Sequence, residues 1–327
     1  MASTALVVPG FCDLQVNGFA GVDFNDPGTA PEDVARAAAA MEATGVTSFL
    51  PTLISSDFSR FAACAKPVLS SGAPGILGLH MEGPYIAGEH GPRGAHDPAA
   101  VTDASPDDFA RRQDAAGGTI RLVTLAPEVP GALDLIDRLV AAGVRVAIGH
   151  TAASADTIVE AVRRGATLST HLGNGCASTL PRHPNLLWEQ LAQDALYASF
   201  IADGHHLSAS TLRAMVRAKS PARSLLVTDG TAAAAAPPGE YTLGTRRVRL
   251  GPDGRVTLVD GTRLAGSALT LDAAIGHVVK AAGVTVDEAV AMASSQPAAY
   301  LGVQPRGTVH ADWDAASARL RVVRVVA

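Results

Sequence analysis

Short apolar runs and helical patterns alternate through most of this chain, and few folds tolerate that rhythm. Strand-like runs over residues 12–18, 47–54, 76–82, 120–126, 145–149, 166–170, 196–202 and 224–228 are separated by helical patterns over 31–43, 58–69, 106–116, 132–142, 155–164, 185–192 and 208–218. Strands that are each returned by a helix pair in parallel, so the chain is α/β. Eight such units predict a (β/α)8 TIM-type barrel; an open doubly wound sheet is the alternative, because spacing does not establish closure. Helix punctuation agrees: the segment 31–43 opens on Pro31, Glu32 and Asp33 and is followed by Gly45.

The remaining segments predict a reduced β appendage. Residues 1–8 read as a residual β segment, 9–236 as the barrel core, 237–262 as a β-hairpin insertion around Gly251-Pro252-Asp253-Gly254, 263–303 as helices completing the barrel domain, and 304–327 as a small β segment. Within these, 230–239 reads as a low-complexity linker, 307–312 as irregular and 320–326 as a final strand. Thr285, followed three residues on by Glu288, predicts a boxed helix start.

Composition excludes several classes of function. With 47% hydrophobic, 17% charged and 4% aromatic residues, the chain can bury a large core built from Ala, Val and Leu. A net charge of −5 without a basic run or basic helix face argues against nucleic-acid and membrane partners. Three cysteines, Cys12, Cys64 and Cys176, lack C-x-x-C spacing and fit a reducing compartment. The first residues carry no signal-peptide pattern, so a cytoplasmic protein is expected.

Polar residues gather where the predicted strands end. Glu82 ends the third, His150 the fifth, His171 the sixth, His205 and His206 follow the seventh, and Asp229 ends the eighth. A barrel brings all of these to one mouth, where barrel enzymes hold their chemistry. One such His is more often a wall residue and one Asp before Gly a turn former, but several at different strand ends predict a shared metal site. Two His and one carboxylate form a three-ligand set that leaves a position open. By contrast His90, His183, His277 and His310 fall in loops or on helices and read as ordinary surface or packing residues.

The runs Pro9-Gly10-Phe11-Cys12-Asp13-Leu14-Gln15-Val16-Asn17-Gly18, His80-Met81-Glu82-Gly83-Pro84, Gly94-Ala95-His96-Asp97-Pro98, Leu125-Ala126-Pro127-Glu128, Gly149-His150-Thr151, Thr170-His171-Leu172, Ile201-Ala202-Asp203-Gly204, Val227-Thr228-Asp229 and Leu264-Ala265-Gly266-Ser267 resemble, in order, the N-acetylglucosamine-6-phosphate deacetylase family of the amidohydrolase superfamily. The resemblance implies a metal-dependent hydrolase that cleaves the acetamide of an amino sugar, foremost N-acetylglucosamine 6-phosphate, to acetate and the free amine. It implies that Glu82, His150 and His171 hold one divalent metal ion, zinc foremost, although two imidazoles and a carboxylate also accept iron, cobalt or manganese. A metal-activated water would attack, with Asp229 as general base and then acid and His96 polarising the amide carbonyl.

For the sugar phosphate, the resemblance implies Asn174, Gly175, Arg182 and His206, with Arg182 contributed across the interface of a homodimer. The surrounding sequence departs from the family, reading Leu172-Gly173-Asn174-Gly175-Cys176 and Leu180-Pro181-Arg182-His183-Pro184. Many amidohydrolases carry His-x-His after the first strand for a second metal. Here Gln15-Val16-Asn17 stands there, which favours a single ion and makes Gln15 and Asn17 site-wall residues. The alternatives are hydrolysis of another N-acyl substrate, such as a non-phosphorylated amino sugar or an N-acyl amino acid, and a catalytically silent ligand-binding barrel.

Overall fold

The structure is a computed structural model that describes residues 3–261 and 263–327. Eight parallel strands form one sheet: Phe11–Val16, Val46–Ile54, Leu79–Glu82, Ile120–Leu125, Arg145–Ile148, Leu168–Ser169, Tyr197–Phe200 and Ser224–Leu226, each paired with its neighbour in chain order. Helices Pro31–Ala43, Phe58–Ser70, Pro106–Ala115, Ala132–Ala141, Ala155–Arg163, Leu186–Ala192 and Ala209–Lys219 return the chain between them. The first and eighth strands close the ring beyond their regular portions. Asp229 N–H donates to Gln15 O over 2.9 Å and Asn17 N–H to Gly230 O over 2.7 Å. The barrel reading therefore holds and the open sheet does not.

Each strand turns one set of side chains towards the returning helices and the other into the barrel, as period two requires. The outer layer is aliphatic, as composition predicts, with Val34, Ala37 and Met41 of the first helix buried against the sheet. Beneath the mouth the interior is polar instead. Thr52 Oγ1 lies 3.3 Å from His80 Nδ1, His80 Nε2 lies 2.7 Å from Thr124 Oγ1, and Thr124 Oγ1 lies 2.7 Å from Thr170 Oγ1. Buried polar groups are tolerable only when paired in this way. Burial lowers His80 to about 4, so its ring is a neutral hydrogen-bonding strut.

Two expectations at the periphery are corrected. Residues 307–312 are not irregular: Thr308–Asp314 is a strand, with Val309, Ala311 and Trp313 buried at period two, and it pairs antiparallel with both Thr4–Pro9 and Arg319–Val326. Nor is 230–239 a loose linker. Ala232, Ala233 and Ala234 are buried, and Gly230 bridges Val16 and Ser267. Small side chains look flexible in sequence but here let the backbone pass close to the barrel rim.

The hairpin insertion is larger than one hairpin. Strands Gly239–Leu243, Arg246–Leu250 and Val256–Leu258 form an antiparallel sheet whose Leu243, Val248, Leu250, Val256 and Leu258 pack with Ala233 and Ala265 into a core of their own. The helix Val286–Ala293 starts as predicted: Thr285 Oγ1 accepts from Glu288 N–H, and Thr285 N–H donates to Glu288 Oε2 over 2.8 Å. That helix breaks at Ser294, and the chain resumes as the short helix Ser295–Tyr300.

Candidate metal and active site

The strand ends deliver Glu82, His150, His171 and Asp229 to one mouth, all of them buried. Glu82 terminates its strand in register with Thr124, and the other three lie just beyond theirs. His150, His171 and Asp229 have φ of +50°, +30° and +49°. Non-glycine residues pay about 1–3 kcal/mol each for that conformation, and such strain concentrates at functional sites. It turns three side chains out of the strand direction and towards one point.

Glu82 Oε1 lies 3.1 Å from His171 Nε2 and 3.3 Å from His150 Nε2, and the two ring nitrogens are 3.1 Å apart. Three basic atoms packed this closely need a positive charge among them. Ligands about 2.0–2.1 Å from one tetrahedral ion stand about 3.3 Å apart, so the triangle fits a divalent metal. These three residues are the group among the described residues able to hold one. His150 Nδ1 lies 2.9 Å from Pro92 O and donates to it, which leaves Nε2 with its lone pair facing the cluster. His171 Nδ1 is buried without a partner, and its residue is held instead by its own N–H, which donates to Ser199 Oγ over 2.8 Å. Burial pushes Glu82 up, but the two imidazoles hold it well below the usual carboxylate range; His150 is depressed by burial and raised further by Glu82.

Around the cluster, the first strand supplies amides rather than imidazoles. Gln15 Nε2 donates to Glu82 Oε1 over 2.7 Å and to Asp229 Oδ1 over 3.3 Å, and Asn17 Nδ2 donates to Asp229 Oδ1 over 2.7 Å. Asp229 thus has one oxygen engaged, and burial with the nearby Glu82 charge raises its carboxyl to about 6. On the other side His96 Nδ1 lies 2.8 Å from Ser55 Oγ, and its Nε2 lies 3.8 Å from Glu82 Oε2. Ser55 N–H also points at Nδ1 over 3.4 Å. That places the imidazole proton on Nε2, facing inwards, and burial lowers the ring to about 3 so that it stays neutral.

These groups line a cavity of about 550 Å³, which suits a small ligand. Asn174, Gly175 and His206 reach it from the rim, and Asp203 fixes His206 through a 2.7 Å contact to Nδ1. Arg182 is not brought there: it is exposed and lies outside the cavity lining of its own chain. His90, read as an ordinary loop residue, does line the cavity, and so does Arg263. Sequence spacing gave no signal for Arg263, because only the packing of the insertion carries it to the mouth.

Comparison with known proteins decides the family. The amidohydrolase family profile matches residues 6–316. A bovine (Bos taurus) protein named N-acetylglucosamine-6-phosphate deacetylase is 38% identical, over 95% of this chain and 78% of its own length. The chain belongs to that deacetylase family, within the amidohydrolases. An Escherichia coli O157:H7 protein named N-acetylgalactosamine-6-phosphate deacetylase is 35% identical over 91% of this chain and 78% of its own. A solved Mycobacterium smegmatis N-acetyl-D-glucosamine-6-phosphate deacetylase, an aspartate-to-alanine mutant in complex with N-acetyl-D-glucosamine-6-phosphate, superposes with a TM-score of 0.89 at 30% identity, covering 98% of this chain and 86% of that one. As a member, the chain is a hydrolytic enzyme that acts on an amide.

Proposed function

We propose that this deacetylase removes the acetyl group of N-acetylglucosamine 6-phosphate, giving acetate and glucosamine 6-phosphate. The observation that carries the reading is the meeting, in one cavity, of the Glu82–His150–His171 triangle with Asp229 on one side and neutral His96 on the other. That triangle would hold a divalent ion, zinc for a His₂-carboxylate set, which would supply Lewis-acid polarisation and lower the pKa of water from about 15.7 towards ~7.

The protein's own groups divide the remaining work. Gln15 and Asn17 hold Asp229 by Oδ1, leaving Oδ2 to take a proton from the attacking water. A carboxyl raised to about 6 can both accept that proton and return it to the amide nitrogen as the C–N bond breaks. His96, tied at Nδ1 to Ser55, presents its Nε2 proton to the carbonyl oxygen, where negative charge builds in the tetrahedral transition state. Asn174, Gly175 and His206 lie where the sugar phosphate would rest, and exposed Arg182 would act across a dimer interface. Trp188, 60% exposed in the adjoining helix Leu186–Ala192, supports a homodimer burying that face. Free Cys12, Cys64 and Cys176 support a cytoplasmic enzyme, and no helix among the described residues is long and apolar enough to cross a membrane.

The test is acetate release from N-acetylglucosamine 6-phosphate, N-acetylglucosamine and an N-acetyl amino acid by metal-loaded protein. Preference for the phosphorylated sugar is expected. Preference for the plain sugar or the amino acid would assign the same chemistry to another N-acyl substrate, and release from none would leave a silent barrel.

A further inference from the structure

The cavity that holds the proposed chemistry has one lysine or arginine among its described lining residues, and it is Arg263. Arg263 follows the three-stranded insertion and reaches back over the mouth. Its Nη1 donates to Gly94 O over 2.7 Å, and its Nη2 donates to His90 Nε2. Both acceptors are neutral, since a ring nitrogen that accepts carries no proton. The guanidinium is therefore anchored without being neutralised, and three of its five N–H groups remain for a ligand.

Its position suits the far end of a substrate whose amide lies on the metal triangle. A Cβ at Gly94 would stand 3.0 Å from His150 Cε1, and one at Gly175 would stand 2.9 Å from His150 Nδ1, so both loops close on the same ring, where a side chain would be crowded as well as strained in backbone. Gly91, in the Arg263-bound loop, packs in turn on Cys176 and Ala177. Chaining these contacts through ordinary bond lengths places the guanidinium no more than about 10 Å from the His150 ring, within the span of one hexose phosphate.

We infer that Arg263 is a phosphate-binding residue supplied within the same chain, with His90 and Gly94 O holding its guanidinium towards the substrate. The inference rests on the amino-sugar-phosphate reading above. Arg binds phosphate by its planar fork, so one rigid guanidinium at the mouth adds discrimination between phosphorylated and plain sugars from within the chain, beside the contact assigned to Arg182 across a dimer interface.

The experiment compares wild type, Arg263→Met and Arg263→Lys in the full-length metal-loaded enzyme. It reads kcat/KM for N-acetylglucosamine 6-phosphate divided by kcat/KM for N-acetylglucosamine, with calorimetric binding of glucosamine 6-phosphate alongside. Arg263→Met is expected to lower the ratio about 10- to 100-fold, mainly through KM for the phosphorylated sugar, and to weaken glucosamine 6-phosphate binding by a similar factor. Arg263→Lys, which keeps the charge without the fork, should recover part of both. A purely structural strap would lower both kcat/KM values together; an unchanged ratio with unchanged product binding overturns the inference. Wild-type enzyme with no preference for the phosphorylated sugar overturns the reading beneath it, a failure visible before any variant is made.

Discussion

The floor of the cavity and its rim are built on opposite principles. At the floor, Glu82, His150, His171 and Asp229 sit on strand ends, buried, three of them in left-handed backbone that the surrounding barrel holds in place. At the rim, His90, Asn174, Gly175 and Arg263 stand on loops that meet only through tertiary packing. Rigid strands suit groups that would approach a metal ion within a few tenths of an ångström, whereas loops suit groups that would choose among substrates. The difference predicts where substitutions abolish chemistry and where they only redirect it.

Floor substitutions should have the largest effects. Asp229→Asn is expected to cut turnover by about 10²–10⁴-fold while metal content, read by atomic emission, stays at the wild-type level. Loss of the metal with the activity would instead make Asp229 a ligand and merge it with the triangle. His96→Asn should cost about 10²–10³-fold in kcat with little change in KM, because the hydrogen bond it removes strengthens only in the transition state. A change confined to KM would move His96 from the floor's chemistry to the rim's binding.

A stability test follows from Asp13, which lies under the floor and joins the first strand to the eighth. Its Oδ1 accepts from Thr228 N–H over 3.2 Å and its Oδ2 from the Thr228 hydroxyl over 2.5 Å, next to Asp229. Burial raises its carboxyl to about 7 despite those bonds. The folded chain thus keeps this proton after the unfolded chain has released it. Stability from this group is full below the unfolded pKa of about 3.9 and falls as pH rises to about 7. Urea midpoints for wild type should decline over that window, and Asp13→Asn should flatten the decline by on the order of 1–4 kcal/mol. Equal slopes would show that Asp13 keeps an ordinary carboxylate.

The smallest effect is expected far from the mouth, on the satellite sheet. Arg321 and Asp312 pair across its exposed face. Arg321→Ala should cost less than about 1 kcal/mol, read as a thermal midpoint, and leave turnover unchanged. A loss of turnover there would mean that the satellite sheet and the floor are coupled.

Floor and rim also differed in how far they could be read from sequence. Glu82, His150, His171 and Asp229 each follow an apolar run that ends at a recognisable strand end, so local pattern placed them together. His90 and Arg263 carry no such mark. Arg263 arrives because Leu243, Val248 and Leu258 of the insertion bury themselves against Ala233, a contact between segments that composition had marked as linker and hairpin. The strand Thr308–Asp314 did carry its mark, polar His310 and Asp312 alternating with buried Val309, Ala311 and Trp313, and the reading of 307–312 as irregular missed it. Arg182, expected at the phosphate across a dimer interface, is exposed on a loop of its own chain.

The central claim is that one ion, held by Glu82, His150 and His171, is required for deacetylation. Its most direct measurement is a metal titration of chelator-treated enzyme, following acetate release from N-acetylglucosamine 6-phosphate. Activity absent at the start and rising to a plateau at one equivalent of divalent metal per chain is the predicted result. Acetate release that survives chelation, or a plateau reached only at two equivalents, would contradict it.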